Sequence, residues 1–133
     1  MFPSILIVDD ETSILKSLSG ILSDEGFETI TVSNGYEALK ILESESPDLV
    51  LLDIWMPGID GIDTLKEIKK VTDLPIELHN HCTSGVASMT LLKAIEAGVD
   101  IVDTAISPFS SGTSQPPTET IVEALRDTEY ETG

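Results

Sequence analysis

Five short runs of Val, Ile and Leu alternate along this chain with segments whose apolar residues recur every three or four positions. Continuous apolar runs of this length fit strands buried on both faces, and the second pattern fits amphipathic helices. The first strand is predicted over residues 4–8. A helix over 11–25 follows, with Ile14, Leu15, Leu18, Ile21 and Leu22 at helical spacing and Gly26 placed to end it in the left-handed conformation. Residues 29–32 and 35–45 form the second strand and helix, with Ala38, Leu39 and Leu42 inward. Residues 49–52 and 61–70 form the third pair, with Ile62, Leu65 and Ile68 on one face. Residues 75–78 and 86–97 form the fourth, with Val86, Met89, Leu92 and Ile95 on one side and Gly98 as the stop. Residues 99–102 and 118–126 close the series, the last helix starting after Pro116-Pro117.

Five βα units imply a parallel sheet with right-handed crossovers and helices on both faces. A closed barrel would need eight units. The expected fold is therefore α/β and flavodoxin-like, a three-layer (βα)5 sandwich of strand order 2-1-3-4-5 in one domain. Functional groups in such a sheet gather at the carboxyl ends of the strands. Asp9, Asp10, Asp53, His79, His81 and Asp103 all fall there or nearby. The loop 107–117 is rich in Ser, Gly, Thr and Pro and is long for this fold.

Charge narrows the partners. A formal charge of -17, from 7 basic and 24 acidic residues, repels nucleic acid and anionic membranes. No apolar run approaches the roughly 20 residues that span a bilayer, and the start Met1-Phe2-Pro3-Ser4 carries no basic leader. The single cysteine, Cys82, allows no internal disulfide. These features together predict a cytoplasmic protein.

Asp9 and Asp10 close the first strand, and Asp53 closes the third, its neighbour in the expected order. Three carboxylates held together repel by roughly 1 to 4 kcal/mol per pair, depending on the local dielectric. A hard divalent cation relieves that repulsion, and Mg²⁺ takes one or two carboxylates plus waters. With the metal in place, one carboxylate can attack a phosphoryl group and become an acyl phosphate. A lone aspartate here would be read as a helix cap or a strand-end polar residue. Three of them, followed by Trp55-Met56-Pro57-Gly58, favour the cation pocket.

The segments I-L-I-V-D-D-E at 5–11, N-G-Y-E-A-L at 34–39, P-D-L-V-L-L-D at 47–53 and M-P-G-I-D-G at 56–61 carry a resemblance. Residues 1 to about 72 resemble response-regulator receiver domains of two-component signalling. The resemblance implies Asp53 as phosphoacceptor. It implies Mg²⁺ held by Asp10, Asp53 and the Trp55 backbone carbonyl, with Asp9 acting through water. It also implies a Ser or Thr at the end of the fourth strand and a Lys at the end of the fifth. This chain departs there: the fourth strand runs into His79-Asn80-His81, the fifth into Asp103-Thr104, and no Lys follows Lys93. Thr83 and Thr104 are the hydroxyls nearest the expected position. The switch that couples phosphorylation to a surface change is therefore expected to be lost, and no cognate kinase is expected to signal through the chain.

His79 and His81 lie two apart, the spacing that puts two side chains on one face of a strand. Two imidazoles so placed can share a transition metal, although polar strand-end histidines are the commoner meaning of such a pair. The segments L-P-I-E-L-H-N-H-C-T-S-G at 74–85, E-A-G-V-D-I-V-D-T-A-I-S at 96–107 and G-T-S-Q-P-P-T-E at 112–119 resemble the carboxyltransferase barrel of biotin-dependent enzymes. The B subunit of pyruvate carboxylase and oxaloacetate decarboxylase alpha are the comparisons. By that resemblance residues 74–133 correspond to the last two βα units of the barrel. His79 and His81 match two of its metal ligands, and the strands bearing the others are absent from this chain. No carboxyl transfer or other enzymatic activity is expected.

Two fragments of different folds within one sheet, a receiver-derived half at 1–73 and a barrel-derived half at 74–133, predict an engineered chimeric scaffold rather than an evolved activity. Residual divalent-cation binding at the acidic pocket is its expected chemistry. The alternatives are a phosphoacceptor receiver with impaired switching and a transition-metal protein built on His79 and His81. Asp53 as a third ligand beside the histidines is a further variant. The open edge of the last strand predicts either a monomer or a strand-swapped or edge-paired homodimer.

Overall fold

The computed structural model describes residues 2–54 and 60–132. Its elements run β1 (Ser4–Val8), α1 (Thr12–Asp24), β2 (Glu28–Val32), α2 (Gly35–Leu42), β3 (Leu49–Asp53), α3 (Gly61–Val71), β4 (Ile76–His79), α4 (Ala87–Glu96), β5 (Ile101–Val102) and α5 (Thr118–Leu125). A short 3-10 turn at Ser107–Phe109 breaks the last loop. The strands form one sheet in the order β2-β1-β3-β4-β5, with every neighbouring pair parallel. Fold class and strand order match the expectation.

Local chemistry sets the boundaries. The Asn34 side chain accepts from the Glu37 amide, and the Glu37 carboxylate in turn accepts from the Ser33 amide, a reciprocal cap that starts α2. Asp60 caps α3 through the Asp63 amide. Gly26 and Gly98 adopt φ of +91° and +97° just past α1 and α4, as helix stops of this kind require. The last strand is shorter than predicted. The Val99 amide still bonds to Ala94 at the end of α4, and the Asp100 carboxylate takes the Ile76 amide and the Lys69 ammonium.

Strand parity divides the core. Leu6, Val8, Val50, Leu52, Ile76 and Leu78 face one way, into a cluster shared with α2, α3, α4 and α5. Ile5, Ile7, Leu49 and Leu51 face the other way, where α1 supplies Leu15, Leu18 and Leu22. Helices thus lie on both faces, but unequally. The step from β1 to β2 crosses the sheet in the opposite direction from the later steps, so a right-handed crossover puts α1 alone on its face. No crossover follows β5, and α5 is free of that rule. Its start is fixed by the parallel bridge Ala105–Pro117, by the Thr118 amide bonded to the Ala105 carbonyl at 2.9 Å, and by Ser107 donating to Glu119. These contacts seat α5 beside α4.

Two helix faces differ from the expectation. In α1, Leu15, Leu18 and Leu22 of the expected stripe pack on the sheet, while Ile14 and Ile21 are exposed. In α4, Val86 and Met89 are exposed, and the stripe Ala87, Leu91 and Ala94 with Ile95 is buried. The methyl side chains of Ala87 and Ala94 let the helix lie close to the sheet. Periodicity weighted by large apolar residues favours the neighbouring stripe.

Candidate functional site

The acidic trio assembles from two strand ends. The Asp9 amide donates to Val32 at 3.2 Å, prolonging the pairing by one residue, and its carboxylate accepts the Glu11 amide at 2.8 Å. Asp9 is buried, Asp10 is exposed and Asp53 is half-buried. Asp10 does not cap α1: Glu11 holds the cap position, without a side-chain bond. One carboxylate oxygen from each of the three aspartates lies within 4.8 Å of the others. Burial is the main reason the Asp9 carboxyl is pushed above its usual range; the Glu11 amide opposes the shift, and the charges of Asp10 and Glu11 reinforce it.

Gly61, the first residue of α3, lies against the backbone of Asp53 and Ile54. A Cβ there would stand 2.4 Å from Ile54 Cα and 2.8 Å from the Asp53 carbonyl oxygen, and the Gly61 amide bonds to Ile54 at 3.1 Å. Only a residue without a side chain permits this approach. Trp55, whose carbonyl the sequence nominates as a metal ligand, lies outside the described residues.

The second cluster adjoins the first. Asp53 and His79 are partners in the β3–β4 register. His79 Nδ1 lies 2.7 Å from Asp103 Oδ2, and His81 Nδ1 lies 2.6 Å from the Thr113 carbonyl oxygen. The two Nε2 atoms are 2.9 Å apart, with the rings edge to face at 83°. Strand β4 ends at His79, so His81 reaches its partner from the irregular segment that follows rather than by strand pleat. The hydrogen bond to Asp103 raises the His79 pKa; burial opposes it, and the charges of Asp103, Asp53 and Glu77 add to it. The Asp103 carboxyl is correspondingly lowered, first by that same hydrogen bond. Glu77 is pushed up by burial and then by Asp103.

A cleft of about 210 Å³ joins the two clusters, with Ile7, Leu18 and Leu51 among its walls and Asp9, Asp53, His79 and Asp103 at its polar end. No Lys or Arg lines it among the described residues. At the end of β5, where the receiver pattern has a Lys, the Asp103 carboxylate faces His79. The Thr104 hydroxyl is engaged by Thr118 at 2.8 Å. Glu77 and the Thr113 carbonyl were not singled out from the sequence. Glu77 had a signal, since it shares strand parity with His79. Thr113 had none, because its position depends on the path of a long loop.

Comparison with known proteins returns both resemblances. The response regulator receiver domain model matches residues 5–103. The pyruvate carboxylase B subunit of Methanocaldococcus jannaschii is 50% identical over 107 residues, covering 77% of this chain and 19% of its own length. The probable transcriptional regulator ycf27 of Porphyra purpurea is 42% identical over 106 residues, covering 80% of this chain and 42% of its own. The chain therefore spans about a fifth and about two fifths of these relatives. Among solved structures, response regulator TrrA of Thermotoga maritima, in complex with Mg(2+)-BeF, superposes with a TM-score of 0.67 at 38% identity, over 81% of this chain and 90% of that one. The matched span, the sheet order and the aspartates at the strand ends agree: this chain belongs to the response regulator receiver domain family and carries, in addition, a partial likeness to the B subunit of pyruvate carboxylase.

Proposed function

We propose that the chain is an engineered scaffold in which a receiver frame was joined to a fragment of a carboxyltransferase barrel. Its retained chemistry is Mg²⁺ binding at Asp9, Asp10 and Asp53, with the Trp55 carbonyl as a further ligand. The observation that carries this reading is the convergence of three carboxylate oxygens within 4.8 Å in a cleft with no Lys or Arg among its described lining. An all-oxygen donor set suits a hard divalent ion, which supplies the positive charge that the carboxylates need in order to approach a phosphoryl group. Asp53 is the phosphoacceptor in this reading. Asp103 opposes a phosphorylated Asp53 where a Lys would pair with it, so phosphorylation does not propagate to the surface.

The barrel likeness takes in 77% of the chain, more than residues 74–133 make up. It overlaps the receiver match instead of abutting it. In this reading the join lies at 73/74, between a receiver-derived half at 1–73 and a barrel-derived half at 74–133. The seating of α5 supports this: in a barrel every helix lies on the same side of the strands, and α4 and α5 keep that habit.

Acetyl phosphate with Mg²⁺ tests the site. The expected result is slow phosphorylation that Asp53→Asn abolishes, with no change in oligomeric state or in the backbone spectrum of α4 and β5. Phosphorylation accompanied by a spectral shift throughout α4 and β5 would show that switching survives.

One observation favours a second reading. Both Nδ1 atoms of the histidine pair face acceptors, Asp103 and the Thr113 carbonyl, so both carry hydrogens. The two Nε2 atoms then meet lone pair to lone pair unless a proton or a metal lies between them. An acceptor on the far nitrogen is what orients a histidine that ligates a metal. Co²⁺ absorption that disappears in His81→Ala would establish a transition-metal site there. A spectrum identical to that of free Co²⁺ would rule it out.

A further inference from the structure

The fifth helix packs beside α4, and this leaves part of the sheet uncovered. On the face opposite α4, α1 covers β1, β2 and the near side of β3. Beyond it Leu51 and Glu77 are half-buried, Ile101 is 45% exposed and His79 is exposed. Glu77 and Ile101 are register partners, so they stand side by side on this face. Ile14, 37% exposed on α1, borders the gap, and it lines the cleft together with Leu18 and Leu51. The gap is two to three strands wide, about 10 Å at the usual strand spacing, which is about the diameter of one helix. Along β4, four residues long, it runs about 13 Å, matched by a helix of about 9 residues.

We propose that this open face of β3, β4 and β5 is a docking groove for one amphipathic helix of a partner whose polar flank is basic. Charge complementarity selects that partner. Glu77 stands between Leu51 and Ile101 in the register, so the floor is apolar on either side of a carboxylate, with Asp103 just past the end of β5; no Lys or Arg lines the cleft among the described residues, and the whole chain carries a charge of -17. A second copy of this chain would bring like charge against like. A helix that sets Leu against Leu51 and Ile101 and Lys or Arg against Glu77 and Asp103 satisfies both.

The probe is a fluorescent, amidated peptide of about 14 residues, made of Leu and Lys at helical amphipathic spacing and titrated by anisotropy at moderate salt. A scrambled peptide of the same composition is the control. The expected result is saturable one-to-one binding of the amphipathic peptide only, weakened by at least about tenfold in Ile101→Glu, which sets a charge on the apolar floor. That substitution makes the protein more acidic, so plain charge attraction would leave binding unchanged or tighter, and either outcome overturns the proposal. Equal binding of the scrambled peptide overturns it too. Ile14→Glu, on the α1 side, repeats the reading on a separate element should Ile101→Glu unfold. A concentration-dependent dimer that Ile101→Glu dissociates would put a second copy in the groove and refute the basic helix as its occupant.

Discussion

At the scale of single residues, the site is governed by charges that the fold forces together. Asp9 and Glu77 carry raised pKa values, with burial the first cause in each. A carboxyl raised in the folded state takes up protons that the unfolded chain releases, so its contribution to stability falls as pH rises above the ordinary carboxylate range. The His79–Asp103 pair works differently. Raised His79 contributes most below the ordinary histidine pKa and loses its contribution as pH rises through its folded value. Lowered Asp103 contributes above the ordinary Asp pKa and loses its contribution as pH falls through its folded value. The pair is strongest between those limits. His79→Gln should therefore flatten the loss of stability expected from mildly acidic to alkaline pH; melting curves across that range check it, and an unchanged pH profile would count against the pair. The aspartates at the strand ends were legible in the sequence because strand ends collect function. The tie of His79 to Asp103 was not, because it joins two strands across a register that only folding sets.

At the scale of elements, close approach decides what tolerates change. Gly61 starts α3 against the backbone of Ile54. Gly61→Ala should destabilise by several kcal/mol, on the order of 2–4, because backbone must move; urea unfolding reads this, and a neutral result would mean that the helix start can shift freely. In α4, Leu91→Ala should cost about 2–5 kcal/mol, whereas Met89→Ala, at a residue 73% exposed, should fall within about 0.5 kcal/mol of neutral. The reverse order would restore the face predicted from periodicity. That face was misread because Ala87 and Ala94 add little to an apolar pattern, although they are what lets the helix sit close to the sheet. Strand existence was legible from β-branched runs. The length of β5 was not, because the Asp100 side chain takes the Ile76 amide at the edge where the strand would begin.

At the scale of the whole molecule, sheet order followed from five βα units and right-handed crossovers, and it is the order found. The side taken by α5 could not be read from the pattern, because no crossover follows the last strand to constrain it. Its seating beside α4 leaves the receiver frame with an acidic pocket, an adjacent histidine pair and an open sheet face. The central claim is that this frame keeps a divalent-cation pocket while lacking the basic partner of a phosphoryl group. Thermal unfolding at neutral pH, with and without Mg²⁺ and in parallel for Asp53→Asn, tests it most directly. Mg²⁺ at about a hundred times its Kd should add roughly 2.7 kcal/mol of stability. Asp53→Asn should melt higher than the parent chain without metal, through relieved repulsion, and should lose the Mg²⁺ response. A parent melting curve indifferent to Mg²⁺, or an Asp53→Asn variant that responds as the parent does, would contradict the claim.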